Sequence, residues 1–143
     1  MKAPIMIAII SIQLILMANS CNDGGSYYDY RLKVINKSNM TIYAEYMMSP
    51  LDTLLLFTQS PFNHSPDKAA PNGTIILGRG GSWEDAFDEV VNQKLHVFIF
   101  NASIVDNTPW ETVKKNYMIL KRFDLSLHDL DSLNWTITYP PIK

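Results

Sequence analysis

The residues best suited to binding an anion form the segment Gly78-Arg79-Gly80-Gly81, which directly precedes Ser82. Glycines let a ligand approach the backbone, an arginine can donate two parallel hydrogen bonds to a carboxylate or phosphate, and a predicted helix begins just after the segment. Arg79, Gly80 and Gly81 are therefore candidate ligands of a sulfate, a carboxylate or a sugar acid. The segment matches neither the Walker A pattern nor G-x-G-x-x-G, and a flexible connection between strand and helix is the more economical explanation.

The histidines are His64, His96 and His128. Their spacing matches no H-x-x-x-H, H-E-x-x-H or Cys/His pattern, so the sequence supports no zinc site, and it indicates no cofactor. His64 and Asp67 fall in the longest irregular segment, where binding residues often occur, so His64 is a further candidate ligand residue. We expect His96 to be a hydrogen-bonded core or edge histidine, and His128 to be exposed on a short helix.

No residue is assigned a catalytic role. Ser65 and Ser82 carry hydroxyls, but neither lies in G-x-S-x-G or S-x-x-K. No pair of carboxylates stands out for glycoside hydrolysis. Trp83, Trp110 and Trp135 could form a carbohydrate platform, but each falls on a predicted core face or in a first helical turn, so we expect them to be packed. The sequence therefore favours a protein that is not an enzyme.

Residues 1–21 have the pattern of an export segment. Lys2 precedes an apolar run at residues 5–17, and Ala18 and Ser20 are small residues just before Cys21. A helix rises about 1.5 Å per residue, so this run is shorter than the roughly 20 apolar residues that cross a bilayer core. The pattern predicts a signal peptide over residues 1–20, and a marginal transmembrane anchor is the alternative.

Cys21 is the chain's only cysteine. With the small residues before it, it resembles the lipobox of bacterial lipoproteins, in which the cysteine after the cut is lipidated. An exposed free thiol is a liability in an oxidising compartment, and lipid attachment would remove it. The alternative is a buried cysteine that packs as a small hydrophobe. The resemblance implies that Cys21 carries acyl chains such as palmitate, at the start of a polar tether over residues 21–29.

Length and charge bound the remainder of the chain. The 143 residues carry a formal net charge of −2, which gives no electrostatic basis for binding nucleic acid. Removal of the signal peptide and tether leaves residues 30–143, which we expect to form a single globular domain. A domain of this size can sustain a core without disulfides.

Alternating or continuous apolar residues predict several strands. In the first strand, Tyr30, Leu32 and Val34 alternate with Arg31 and Lys33. Turn residues at 36–39 and a second strand at 41–47 suggest a hairpin. Further strands are predicted at 51–57, 74–77, 95–100, 117–123 and 133–139. The apolar stretch at 95–100 is typical of a central strand that is covered on both faces. A long loop is predicted at 58–73.

Three helix starts share one chemistry, a hydroxyl at the cap followed by carboxylates in the first turn. Thr108 shows it most clearly, because Pro109 would fill the first helical position and Glu111 would complete a capping box. Ser82 begins a second helix, and Ser126 a third with a less complete pattern. Strands that outnumber short helices predict an α+β fold with a mainly antiparallel sheet, and a β-sandwich with helical insertions is the alternative.

Five segments of the mature chain resemble those of a known group of proteins. They are Val34-Ile35-Asn36-Lys37-Ser38, Gly81-Ser82-Trp83-Glu84, Val97-Phe98-Ile99-Phe100, Thr108-Pro109-Trp110 and Leu133-Asn134-Trp135-Thr136-Ile137-Thr138-Tyr139-Pro140. The group consists of small uncharacterised lipoproteins of Bacteroides-type bacteria. These segments are structural and not catalytic, so the resemblance implies a location in the cell envelope and no particular activity.

Together these patterns predict a non-enzymatic lipoprotein of the cell envelope that acts as a binding or accessory module. Its lipid anchor would hold it to the outer membrane, on the periplasmic or the surface face. A protein or a glycan is the expected ligand, and nucleic acid is not. The alternatives are an envelope inhibitor or immunity-type protein that caps a toxin or enzyme, and a small hydrolase that uses His64 or His128.

Overall fold

The computed structural model describes residues 27–48, 67–90 and 93–141. The strands are β1 (Tyr28–Asn36), β2 (Ile42–Met47), β3 (Lys68–Ala69), β4 (Thr74–Gly80), β5 (Leu95–Asn101), β6 (Lys121–Leu125) and β7 (Thr136–Tyr139). The helices are α1 (Trp83–Glu89), α2 (Ala102–Asn107), α3 (Trp110–Lys115) and α4 (Leu127–Ser132). Of these residues, 43% are in strands and 26% in helices, and most strand pairs are antiparallel, so the predicted α+β class is confirmed.

The strands form two sheets. The first has the order β4-β1-β7, in which β1 is antiparallel to β4 and parallel to β7. The second has the order β3-β2-β5-β6 and is antiparallel throughout. Side chains from both sheets, α1 and α4 share one core. Its fully buried members include Leu32, Val34, Ile42, Ile75, Trp83, Leu95, Val97, Ile99, Leu130 and Ile137.

A second apolar cluster covers the other face of the second sheet. Phe98 and Phe100 of β5 pack there against Val113 of α3 and Ala102 of α2. Every residue from 95 to 100 is therefore buried, and the predicted central strand is confirmed. Within the described part of the chain, no helix is long and apolar enough to cross a membrane.

The predicted hairpin between the first two strands is wrong. β1 and β2 belong to different sheets, and the connection between them is a corner organised by Asn36. The fully buried Asn36 side chain donates to the carbonyls of Met40 at 2.8 Å and Ala69 at 3.0 Å, and it accepts from the Ser38 hydroxyl at 2.6 Å. The polar residues that suggested a tight turn therefore satisfy backbone groups where the chain changes sheet.

The helix starts were only partly predictable. Ser82 caps α1 as predicted, accepting from the amide of Asp85 at 3.1 Å. The predicted capping box at Thr108 is wrong, because Thr108 ends α2 and Pro109 precedes α3 without any side-chain cap. Ser126, whose pattern looked less complete, forms the reciprocal capping box of α4 with Asp129. Helix α2 itself was not predicted.

The last strand is shorter than predicted. Asn134 and Trp135 have φ values of 47° and 56°, so β7 begins only at Thr136. The amide of Trp135 donates to the carbonyl of Leu130 at 2.8 Å and that of Asn134 to Asp131 at 3.0 Å, which is the Schellman pattern that ends a helix. The predicted strand at 51–57 and most of the loop at 58–73 lie outside the described residues.

Candidate ligand-binding groove

The anion-binding segment proposed from the sequence is the end of β4. Arg79 pairs with Asp29 in the sheet and donates through Nε to the carbonyl of Gly80 at 3.1 Å. Gly81 has a φ of 79° and lies at the turn into α1. Arg79 and Gly80 line a small pocket of about 360 Å³ together with Glu89. Glu89 contributes a carboxylate to the lining of this pocket, and this charge opposes the attraction of Arg79 for an anion.

The other candidate residues do not join this pocket. His64 and Cys21 lie outside the described residues. His96 is buried, as expected, and its Nδ1 lies 2.6 Å from Oδ1 of Asp124 on the neighbouring strand. Arg122 Nε donates to the same carboxylate oxygen at 2.6 Å. Burial raises the pKa of Asp124, but its hydrogen bonds with His96 and Arg122 outweigh burial and lower it overall. His128 is exposed in α4, as expected.

A β-bulge in β1 creates the most distinctive surface of the described structure. The pairing of β1 with β4 shifts between Asp29 and Leu32, so Tyr30 and Arg31 together oppose Gly78. Asp29 and Leu32 consequently point inward, whereas Tyr30 and Arg31 both point outward. The simple alternation expected from the sequence would have placed Tyr30 in the core with Leu32.

The outward residues of β1 and the segment after α4 line a groove of about 640 Å³, which we call the tyrosine groove. It is lined by Tyr27, Tyr28, Asp29, Tyr30, Arg31, Lys33, Asn134 and Trp135. The three tyrosines are 65%, 52% and 58% exposed. A contiguous group of exposed aromatic side chains in a concave surface is typical of a site that binds another molecule.

Two of these tyrosines are arranged in parallel. The ring centroids of Tyr28 and Tyr30 lie 5.8 Å apart with an angle of 16° between the ring planes. Gly78 lies directly beneath Tyr30, because a Cβ at position 78 would overlap the Cδ1 and Cε1 atoms of the tyrosine ring. Glycine at this position therefore allows the ring to lie against the sheet.

Arg31 holds the base of the groove in place through two carboxylates. Its Nε donates to Asp29 Oδ2 at 2.9 Å and its Nη2 at 2.6 Å. The same Nη2 also donates to Glu84 of α1 at 2.7 Å. The guanidinium thus joins β1 to α1 and is flanked by two negative charges. Such charge-assisted, bidentate bonds are stronger and more directional than neutral ones.

The charges of this network stabilise one another. The hydrogen bonds from Arg31 lower the pKa of Asp29, although burial opposes this, and Arg31 likewise lowers the pKa of Glu84. The two carboxylates in turn raise the pKa of Arg31. All three groups are therefore ionised at neutral pH. The positive charge of Arg31 is already compensated within the protein.

Trp135 forms the opposite side of the base. Its indole Nε1 donates to Asp131 Oδ1 at 3.0 Å, and its ring packs on the core side of the groove. The ring centroid lies 6.1 Å from that of Trp83, which is fully buried. Trp110 is half-buried and packs against Phe100. The tryptophans are therefore packed, as expected.

The sequence analysis did not identify the tyrosines as functional residues. Tyr27, Tyr28 and Asp29 fell in the predicted tether, yet Tyr28 and Asp29 belong to β1. The available signal was compositional, because three of the chain's seven tyrosines occur within the four residues 27–30. A cluster of aromatic residues next to a polar tether could have indicated an exposed aromatic surface.

Comparisons with known proteins add no relative. No protein-family model matches the chain, and none of the curated proteins or solved structures compared with it is similar. The resemblance to small lipoproteins of Bacteroides-type bacteria stays a prediction. The functional argument therefore depends on the geometry of the tyrosine groove and on the sequence of residues 1–21.

Proposed function

We propose that this chain is a non-enzymatic lipoprotein of the cell envelope whose folded domain binds a ligand in the tyrosine groove. The observation that carries the proposal is the set of three tyrosines, each more than half exposed, around an open groove of about 640 Å³. Ligand sites typically enclose about 300–1,000 Å³ and combine aromatic walls with a few polar groups. The groove has a volume in this range and both kinds of side chain, and it is open to solvent.

The proposed anchor places the groove near the membrane. Lipidation of Cys21 would attach the chain through two or more acyl chains, which is enough for stable membrane anchoring. Tyr27 lies six positions after Cys21 along the chain, and an extended chain spans at most about 3.6 Å per residue. The groove would thus begin within about 22 Å of the anchored residue. A ligand at or near the membrane surface would be within reach.

One experiment tests the anchor. Wild-type protein and the Cys21→Ala variant are expressed in a bacterial host that lipidates exported proteins, and membrane and soluble fractions are separated. We expect the wild type in the membrane fraction and the variant in the soluble fraction. Mass spectrometry of the purified mature protein should show a cleaved, acylated N-terminus at Cys21. Membrane retention of the variant, or an unmodified thiol, would contradict the proposed anchor.

A second experiment tests the groove. Detergent-solubilised lipidated protein is immobilised and exposed to envelope extract, and bound proteins and glycans are identified by mass spectrometry. The Tyr28→Ala/Tyr30→Ala double variant should lose the specifically bound component. Tyr117→Ala is the matched control, because Tyr117 is 39% exposed and does not line the groove. Recovery that is identical for all three proteins would rule out the groove as the ligand site.

A further inference from the structure

The outer face of the first sheet, β4-β1-β7, is exposed to solvent. Side chains such as Leu32 and Ile75 point from its inner face into the core, whereas α2 and α3 pack on the second sheet. Ile76 of β4 and Lys33 of β1 are opposite each other in the register, and both point outward. The tyrosine groove lies on this same face, because the bulge turns Tyr30 outward.

This face, with the residue that precedes β1, carries the most exposed hydrophobic side chains of the described structure. They are those of Tyr27, Tyr28, Tyr30 and Ile76, each more than half exposed, and every other described large hydrophobic side chain is 45% exposed or less. Residues two apart in a strand share a face, so Ile76 lies beside Gly78, which is beneath the Tyr30 ring. The isoleucine therefore extends the aromatic patch, and a contiguous exposed patch of this kind marks an interaction surface.

Charge does not select the partner of this face. The charged groups at or next to the groove are the carboxylates of Asp29, Glu84 and Asp131 and the cations of Arg31 and Lys33. Because these charges largely balance, the tyrosines and Ile76 must supply the recognition. Tyrosine combines an apolar ring with a polar hydroxyl, and such side chains are enriched where lipid meets water.

The proposed anchor brings one such boundary next to this face. Tyr27 lies six positions after Cys21, so the start of β1 is within about 22 Å of the anchored residue. A small protein domain is about 30 Å across and does not fit into that space. A short tether also gives an effective concentration on the order of millimolar. A contact with the bilayer that is weak for the free domain therefore forms in the anchored protein.

We infer that the domain docks on its anchoring membrane through the outer face of the first sheet. In this arrangement Tyr28, Tyr30 and Ile76 lie at the level of the lipid headgroups, and the tyrosine groove opens toward the membrane surface. The balanced charges around the groove stay hydrated there, so docking needs no anionic lipid. The inference rests on the proposed anchor at Cys21 and goes beyond the proposed ligand site, because it concerns the orientation of the domain.

The reactivity of two exposed lysines tests this orientation. Lys33 lies on the docking face, and Lys115 lies at the end of α3, which packs on the second sheet. Lipidated mature protein on phosphatidylcholine vesicles, and the soluble Cys21→Ala protein mixed with the same vesicles, are treated with a membrane-impermeant amine-acylating reagent. Peptide mass spectrometry should show that anchoring slows acylation of Lys33 several-fold and leaves Lys115 unchanged. Vesicles that also contain phosphatidylglycerol should give the same result.

Variants identify the side chains that make the contact. Tyr28→Ala/Tyr30→Ala and Ile76→Thr should each restore acylation of Lys33 toward the rate in the soluble protein, while the acyl chains still hold these variants on the vesicles. Tyr117→Ala is the matched control, because it removes a partly exposed tyrosine that does not line the groove, and it should keep Lys33 protected. Thermal unfolding of each variant shows whether the fold is retained.

Several results would overturn the inference in protein whose acylation has been verified. They are the absence of slowing at Lys33, slowing at Lys115 as large as that at Lys33, protection that survives the tyrosine and isoleucine substitutions, and protection that requires phosphatidylglycerol. None of them contradicts the proposed ligand site, because retention from envelope extract is measured in detergent without a bilayer. An unmodified Cys21 would refute the anchor and this orientation together.

Discussion

The guanidinium carbon of Arg31 lies 4.1 Å from the centroid of the Trp135 ring. Arg31 comes from the bulge of β1, and Trp135 from the segment that follows the C-terminal end of α4. The stacking thus joins two parts of the chain that are distant in sequence, and Asp29 and Glu84 fix the guanidinium in this position. The same arrangement gives the tyrosine groove its base.

Arg31→Gln should destabilise the fold. The substitution leaves the carboxylate of Asp29, which is 2% exposed, without its charged partner. Loss of one partner of a fully buried pair costs about 3–5 kcal/mol. Because the Arg31 side chain is 42% exposed, we expect a smaller loss, about 2 kcal/mol, in the free energy of unfolding. Urea denaturation measures it.

The neighbouring Lys33→Gln provides the control for Arg31→Gln, since an exposed substitution without partners should change the free energy of unfolding by less than about 0.5 kcal/mol. The double variant Asp29→Asn/Arg31→Gln should lose less free energy of unfolding than the two single variants lose in sum. In the double variant, no buried carboxylate is left without its charged partner. Additive losses would mean that the ion pair does not couple the two residues.

Much of the fold was predictable, because strong local patterns coincide with the core. The apolar stretch at 95–100 became the buried strand β5, and Ser82 caps α1. The capping patterns did not indicate which of the predicted helix starts would form a complete side-chain cap. At Thr108 the preceding residues 102–107 already form α2, so the hydroxyl falls at a helix end and not at a start. Competition between two adjacent helices cannot be read from a four-residue pattern.

A matched pair of substitutions tests this difference. Ser126→Ala removes the hydroxyl that accepts from the amide of Asp129 at 3.2 Å and should cost about 1 kcal/mol of stability. Thr108→Ala removes no capping hydrogen bond and should cost less than about 0.5 kcal/mol. Both are measured by urea denaturation. Equal losses would show that the capping box at Ser126 contributes little to the stability of α4.

Asn36→Ala should be the more damaging of two substitutions in the corner between the sheets. It leaves the buried carbonyl of Ala69 without its side-chain donor and removes one of the two side-chain donors to the carbonyl of Met40, and an unsatisfied buried group costs about 1–3 kcal/mol. Asn39→Ala, at an exposed position of the same corner, should change stability by less than about 0.5 kcal/mol. Thermal unfolding compares the two. A similar loss for both would indicate that the corner is not organised by Asn36.

Stability should fall as pH rises toward neutrality because of Glu45. Burial raises the pKa of Glu45 to about 7, and the nearby Asp67 adds to the effect, while the amide of Tyr46 opposes it. A carboxyl with a raised pKa binds its proton more tightly in the folded chain than in the unfolded one. The stabilisation that Glu45 contributes is therefore complete below about pH 4.3, which is the pKa of a glutamate in the unfolded chain. It is lost progressively up to about pH 7.

The expected change is at most about 4 kcal/mol, since the pKa rises from about 4.3 to about 7 and one pKa unit corresponds to about 1.4 kcal/mol. Glu45→Gln should remove this part of the slope and make the protein more stable than the wild type above pH 7. Glu111→Gln, which alters a carboxylate whose side chain is 75% exposed, should keep the wild-type slope. Denaturation curves between pH 4 and 8 measure how the free energy of unfolding depends on pH. A Glu45→Gln variant with the same pH dependence as the wild type would show that Glu45 is not its cause.

The candidate site was much harder to predict than the fold. Alternation along residues 30–34 assigns Tyr30 to the core with Leu32 and Val34, because a regular strand repeats every two residues. The bulge opposite Gly78 breaks this repeat and turns Tyr30 outward. A bulge depends on how two strands pair, and β4 lies about forty residues further along the chain. The local pattern around Tyr30 therefore contains no sign of it.

Gly78→Ala should change the groove while leaving the fold intact. Its Cβ would overlap the ring of Tyr30, and because that side chain is 58% exposed the ring can rotate away without disturbing the core. Replacing a strand glycine reduces the entropy of the unfolded chain by an equivalent of about 0.4–1 kcal/mol, which offsets the lost ring contact. We therefore expect nearly unchanged stability together with weaker ligand retention by immobilised protein.

Gly80→Ala is the control that separates ring displacement from a general effect of losing a strand glycine. No atom lies within 4 Å of a Cβ at position 80, so Tyr30 keeps its position in this variant. Gly80→Ala should retain the envelope ligand as the wild type does, whereas Gly78→Ala should resemble Tyr30→Ala. Because both glycines lie in β4, equal retention by the two variants would show that the position of the Tyr30 ring does not govern binding.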